Sequence, residues 1–262
     1  MRGYLAEIFN GKLVGLALSV EGKRALQESK LYLILDTEVA GYERLLKIVK
    51  ESLEGGVDLI QLRDKQGSAK DILEFSRQVQ KILRNRIPYI INDRADVAVA
   101  AGASGVHLGQ EDLPVKIARK IVGKKAIIGI SCQTLKKAKQ AQEEGADYIG
   151  FGSVFKTPTK PLREPMDLKL LGDVVREVRI PVFAIGGIAL GNARDVMRYG
   201  VKGIAVCRAI CCADNVETVT RQFKKILKRQ AIDDSKICEG NSPVECQLPK
   251  LNVAGSTPVP RL

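Results

Sequence analysis

From residue 31 onward the chain alternates between short, almost unbroken apolar runs and longer stretches whose apolar positions recur at helical spacing. The runs are LYLIL (31–35), DLIQL (58–62), PYIIN (88–92), GVHLG (105–109), AIIGI (126–130), DYIGF (147–151), PVFAI (181–185) and GIAVC (203–207). Apolar runs with little alternation predict strands buried on both faces, as in a parallel sheet. Between and after them lie YERLLKIVKESLEGG, AKDILEFSRQVQKILRN, RADVAVAAG, PVKIARKIVG, TLKKAKQAQEEG, DLKLLGDVVREV, GNARDVMRYG and NVETVTRQFKKILKR. Several end in glycine, which readily takes the left-handed conformation that stops a helix. The pattern predicts an α/β protein, a single-domain (β/α)8 TIM barrel near its compact limit of roughly 200 residues. A doubly wound open sheet seldom needs so many even repeats.

Two segments fall outside this rhythm. Residues 1–30 carry a weak apolar patch, expected to form a strand pair or helix closing the barrel bottom, or a loose extension. Residues 31–229 form the expected barrel. Residues 230–262 hold Pro243, Pro249, Pro258 and Pro260 among small and polar residues without periodicity. That composition predicts a disordered tail.

Barrel geometry gives the polar residues after each run a direction, because such barrels place their sites at the C-terminal ends of the strands. Strand 2 ends in Gln61-Leu62-Arg63-Asp64-Lys65, strand 3 in Asn92-Asp93, and strand 4 in Gln110-Glu111-Asp112. Strand 5 ends in Ser131, strand 6 runs into GSVFKTPTKP, strand 7 ends in Gly186-Gly187 and strand 8 in Cys207-Arg208. The exits of strands 7 and 8 match the position where many barrels bind phosphate through glycine-exposed backbone amides. Arg63, Lys65 and Lys160 would add positive charge at the same rim, or remain solvated loop cations. Asp93 either caps the helix that follows it or faces the pocket. Asp112 has no comparable structural role. Magnesium takes one or two carboxylates, waters and substrate phosphate oxygens, which suits two aspartates among cations. His107 lies inside strand 4, ahead of the rim, and is expected to be a neutral structural residue.

Composition narrows the picture modestly. The 262 residues carry a formal charge of +12, which favours anionic ligands without choosing among phosphates, nucleic acid and acidic membranes. The cations are mixed with acids along helical stretches, the pattern of a solvated surface rather than a nucleic-acid face. The six cysteines form no CxxC pair and the single histidine is remote from them, so structural zinc has little support. A reduced, cytoplasmic chain is expected, although Cys238 and Cys246 are close enough in sequence to pair. No apolar run reaches the roughly 20 residues that cross a membrane. LVGLALSV is short and lacks a signal-type cleavage site.

The assembled strand ends resemble the thiamine-phosphate synthase family. The likeness runs from about Leu31 to Arg229 and rests on QLRDK (61–65), INDRADVAVAAGASGVHLGQEDLP (91–114), GIS (129–131), GADYIGFGSVFKTPTK (145–160), AIGGI (184–188) and VCRAI (206–210). That family joins a pyrimidine diphosphate to a thiazole phosphate, or its carboxylated form, releasing diphosphate. The resemblance implies that Gln61, Arg63, Lys65, Asn92 and Lys160 hold the diphosphate, with Asp93 and Asp112 on Mg2+. It implies that Ser131 contacts the pyrimidine. Thr157, Thr159, Gly187 and the backbone at Cys207-Arg208 would hold the thiazole phosphate. Arg63, Lys65, Ser131 and Lys160 are the residues it assigns to catalysis. Two positions depart from the family pattern: Cys132-Gln133 stand where many relatives carry a nearby histidine, and Arg208 often corresponds to a small residue.

A thiazole tautomerase on the same barrel is the nearest rival, but it depends on a proton-transferring histidine near the strand 5 exit, and GISCQT has none. A non-catalytic phosphate sensor or nucleic-acid binder has only the net charge in its favour. The expected partners are therefore small molecules, with no nucleic acid and no membrane.

Overall fold

The computed structural model describes residues 22–158 and 164–239, with side chains as far as Lys228. Its strands are β1 (Leu31–Asp36), β2 (Leu59–Arg63), β3 (Tyr89–Asn92), β4 (Gly105–Leu108), β5 (Ile127–Cys132), β6 (Tyr148–Gly152), β7 (Val182–Ile185) and β8 (Gly203–Val206). They pair in sequence order into a closed barrel, β8 returning to β1, and every pairing is parallel. The expected α/β barrel is the fold observed.

Helix α1 occupies residues 22–28. It is followed by α2 (Tyr42–Gly55), α3 (Ala69–Leu83), α4 (Ala95–Ala101), α5 (Val115–Val122), α6 (Leu135–Glu143), α7 (Leu168–Glu177), α8 (Ala193–Met197), α9 (Arg208–Cys211) and α10 (Val216–Glu239). Local chemistry marks their limits. Ser68 and Asp71 form a reciprocal capping box at the start of α3, and Thr134 and Asp167 cap α6 and α7 through their side chains. Gly56 and Gly102 stop α2 and α4 in left-handed conformations, φ 90° and 62°.

Alternation along the strands divides the core in two. Leu31, Leu33 and Leu35 of β1 face the surrounding helices, while Tyr32 and Ile34 point into the barrel. The interior is filled by Tyr32, Ile34, Leu59, Ile90, Ile127, Tyr148, Phe183 and Ala205, with Leu26 of α1 packed on the same cluster. For the N-terminal segment the sequence offers a strand pair or helix closing the barrel bottom, or a loose extension; its described part is helical, with Leu26 packed on the interior cluster. Residues 1–21 of that segment lie outside the described residues. At the other end, α10 runs to Glu239, ten residues past the expected limit at Arg229. The stretch QAIDDSKICE contains no helix breaker until Gly240, so nothing local ends the helix earlier. The remaining tail, 240–262, with the Cys238–Cys246 pairing, lies outside what is described.

Glycine inside the strands makes room for the aromatic interior. A Cβ on Gly129 would fall 2.0 Å from Cζ of Tyr148. Gly129→Ala is therefore expected to lower stability by about 1–3 kcal/mol through overpacking, read as a lower melting temperature. An unchanged melting temperature would show that the Tyr148 ring has other space to occupy.

Candidate active site

The strand ends that the sequence singled out converge on one face. A cavity of about 360 Å³ opens there, lined by Gln61, Arg63, Asn92, Ser131, Thr157, Gly187, Cys207 and Arg208, together with Asp36, His107, Ser153 and Lys156. Lys65, Asp93 and Asp112 stand at the exits of β2, β3 and β4 and are joined by direct contacts. Thr159 and Lys160 lie outside the described residues. A larger cavity, about 700 Å³, opens near α1 and the starts of β3, β4 and β5. It carries no carboxylate among its lining residues and none of the strand-end set, so the smaller cavity is the candidate site.

Asp36 was missed at the sequence level. It stands opposite Arg63 in the β1–β2 register and is only 1% exposed. Arg63 donates through Nη1 to Asp36 Oδ2 at 2.8 Å and lies 3.3 Å from Glu38 Oε1. Burial pushes the Asp36 carboxyl above its ordinary pKa, and the Arg63 guanidinium opposes that rise. The rule applied to the other strands, a polar residue directly after an apolar run, identifies Asp36 when applied to LYLILD.

Asp93 does not cap α4. The N-cap position there is Arg94, without a side-chain cap hydrogen bond, and Asp93 itself has a left-handed backbone, φ 61°. Its carboxylate accepts from Lys65 and meets the side chain of Asp112. Burial, then the contact with Asp112, raise the Asp93 carboxyl, while Lys65 opposes them. Burial would raise Asp112 as well, but its hydrogen bonds with Asp93 and the Gly109 amide outweigh that and hold it low. The Gly109 N–H donates to Asp112 Oδ2 at 2.6 Å.

Two carboxylates in contact repel unless a proton or cation lies between them, so they titrate as a pair. Their hard oxygen donors fit a magnesium ion that keeps waters and takes substrate oxygens. Among the described residues no group of three or more His, Cys, Asp and Glu is arranged for a metal. The pair would therefore need ligands from solvent and substrate.

Lys65 is held by the loop that carries it. Its neighbour Asp64 accepts from the Tyr42 hydroxyl and from the amides of Gln66, at 3.0 Å, and Gly67, at 2.7 Å. Burial alone would raise the Asp64 carboxyl, yet these hydrogen bonds, Tyr42 foremost, keep it below the ordinary value. Across the cavity, Gly186 and Gly187 turn sharply with φ 103° and 64°. A Cβ on Gly187 would sit 2.4 Å from the Lys156 carbonyl oxygen, so only glycine fits. Asn192 braces the turn by donating to the Gly187 carbonyl at 3.1 Å.

His107 is part of the cavity floor, between the Tyr148 hydroxyl and Ser131 Oγ, each at 2.9 Å. The site offers no thiolate nucleophile. Burial pushes the Cys132 thiol up to about 12, and a hydrogen bond with Cys211 and burial raise Cys207 still further.

The family model described as thiamine monophosphate synthase matches residues 31–210, more than half of the chain. The chain belongs to the thiamine monophosphate synthase family. A thiamine-phosphate synthase from Clostridium novyi is 41% identical over 199 residues, covering 75% of this chain and 98% of that protein. A solved thiamine phosphate pyrophosphorylase from Pyrococcus furiosus is 38% identical, with a TM-score of 0.72 over 78% of this chain and 98% of its own. At 15% identity and a TM-score of 0.62, a geranylgeranylglyceryl phosphate synthase from Thermoplasma acidophilum shares the fold alone, over 77% of this chain and 94% of its own. Among the described residues no helix is long and apolar enough to cross a membrane.

Proposed function

We propose that the protein is a thiamine-phosphate synthase, a transferase that joins an aminopyrimidine methyl diphosphate to a thiazole phosphate and releases diphosphate. The observation that carries this reading is the polarity of one cavity. Arg63 and Asn92 line it at the ends of β2 and β3, Lys65, Asp93 and Asp112 form a contact group at the exits of β2, β3 and β4, and the constrained Gly186-Gly187 turn lines its β7 side.

In this reading Gln61, Arg63, Lys65 and Asn92 bind and orient the diphosphate, joined by Lys160, which lies outside the described residues. Magnesium held by Asp93 and Asp112 would neutralise charge that grows on the leaving diphosphate. The cations act as preorganised electrostatic catalysts, already in place when the C–O bond breaks. The aminopyrimidine ring stabilises the positive carbon left behind, and the thiazole nitrogen attacks it. Ser131 orients the pyrimidine. Thr157, Thr159, Gly187 and the Cys207-Arg208 backbone hold the thiazole phosphate. No protein nucleophile is needed, in keeping with protonated Cys132 and Cys207.

A tautomerase needs a proton carrier that reaches the thiazole at the β5 exit, where this chain has Ser131, the high-pKa Cys132 and Gln133, and where the neighbouring His107 is hydrogen-bonded to Tyr148 and Ser131 through its two ring nitrogens. Incubation with both substrates and magnesium should yield thiamine phosphate and diphosphate in equal amounts. Isomerised thiazole without condensation, or binding without turnover, would overturn the proposal.

A further inference from the structure

A hydrogen-bonded line of side chains crosses the barrel interior under the cavity. The Gln61 amide donates to the Tyr32 hydroxyl. The Tyr32 and Tyr148 hydroxyls are 2.7 Å apart, the Tyr148 hydroxyl is 2.9 Å from His107 Nδ1, and His107 Nε2 is 2.9 Å from Ser131 Oγ. Tyr32, Gln61, His107 and Tyr148 are all buried. Glycines leave room for the line. A Cβ on Gly129 would strike the Tyr148 ring, and one on Gly150 would press on His107 Cε1 at 3.1 Å.

Each hydroxyl has one hydrogen, which gives the line a direction. Tyr32 receives the Gln61 N–H, so its own hydrogen goes to the Tyr148 oxygen. The Tyr148 hydrogen then goes to His107 Nδ1. An imidazole accepting at Nδ1 carries its proton on Nε2, and that N–H donates to Ser131. Ser131 thus accepts from His107, and its hydroxyl hydrogen is directed away from the ring, toward the cavity.

We propose that Tyr32 and Tyr148 are positioning residues that transmit the polarity of the Gln61 amide to Ser131. Ser131 is thereby fixed as a hydrogen-bond donor that recognises a lone-pair acceptor, such as an aminopyrimidine ring nitrogen. The identity of that acceptor rests on the functional reading above; the direction of the line does not.

The chain has one histidine, so 15N labelling of histidine reports on His107 alone. In substrate-free protein Nδ1 is expected to give the signal of a bare, accepting nitrogen and Nε2 that of an N–H. A protonated Nδ1 would overturn the proposal, since the line would then run the other way, from Ser131 toward a Gln61 carbonyl. Tyr148→Phe removes the donor without changing ring shape and should move both signals toward a tautomer average; Tyr32→Phe should move them in the same direction. Wild-type signals in Tyr148→Phe would also overturn it.

In kinetics, Tyr148→Phe should lower kcat/KM for the pyrimidine diphosphate about tenfold, the worth of one hydrogen bond, and leave KM for the thiazole phosphate unchanged. In a Ser131→Ala background the same change should cost less than about twofold, because the two residues act as one unit. Equal cost in both backgrounds would sink the inference. The isotope pattern is read without substrate, so it is decided separately from the reaction itself.

Discussion

Asp112→Asn is expected to lower turnover at least about 100-fold at ordinary magnesium concentrations, comparable to removing one preorganised group from a charge-stabilising site. The substitution removes the charge but keeps an oxygen that accepts the Gly109 N–H, now made to Asp112 at 2.6 Å. The melting temperature should therefore stay near that of the parent. Asp112→Ala loses the same charge and also that hydrogen bond, so it should cost about 1 kcal/mol of stability as well. Comparing the two separates folding from chemistry. Excess magnesium should recover part of the activity of Asp112→Asn, because Asp93 still supplies a carboxylate. Asp93→Asn should behave alike, with the added loss of a charged partner for Lys65. Steady-state rates across a magnesium titration decide the matter. Full turnover by either variant in chelator-treated buffer would remove the metal from these aspartates.

The barrel was legible because each of its strands is buried on both faces and reads as a short apolar block. Helix α9 was not, since four residues leave no periodicity to detect. The strand-end positions were legible for β2 to β5, where polar residues follow the block directly, and for β7, where two glycines do. Contacts between neighbouring strand ends were not. Arg63 and Lys65 read in sequence as cations facing an anion, whereas the folded chain sets them against Asp36 and Asp93. Linear spacing does not contain that register; barrel closure does. The interior line was hidden for a different reason. Tyr32 and Tyr148 sit in apolar runs and read as filling, and only inward alternation on two separate strands brings their hydroxyls together.

Arg63 is expected to carry both stability and chemistry, and the two can be taken apart. Arg63→Ala strands the Asp36 carboxyl, 1% exposed, without its guanidinium partner. Breaking a buried pair on one side leaves an uncompensated charge, and a loss of about 3 kcal/mol is expected near neutral pH. Burial already raises the Asp36 carboxyl, and Arg63 restrains that rise, so the variant should raise it further. A carboxyl whose folded pKa lies above its unfolded one makes the folded state bind more protons. Stability then falls as pH rises through that window and returns as pH falls. The melting deficit of Arg63→Ala should accordingly shrink toward acid pH. In the double variant Asp36→Asn/Arg63→Met the charge is gone from both sides and much of the melting temperature should return. Turnover should not return, because the leaving diphosphate still lacks the planar guanidinium. Arg63→Lys should restore little of it, since a lysine cannot span Asp36, Glu38 and the cavity with one ammonium. If the double variant regained turnover along with its melting temperature, Arg63 would be a structural partner of Asp36 and no part of the diphosphate site.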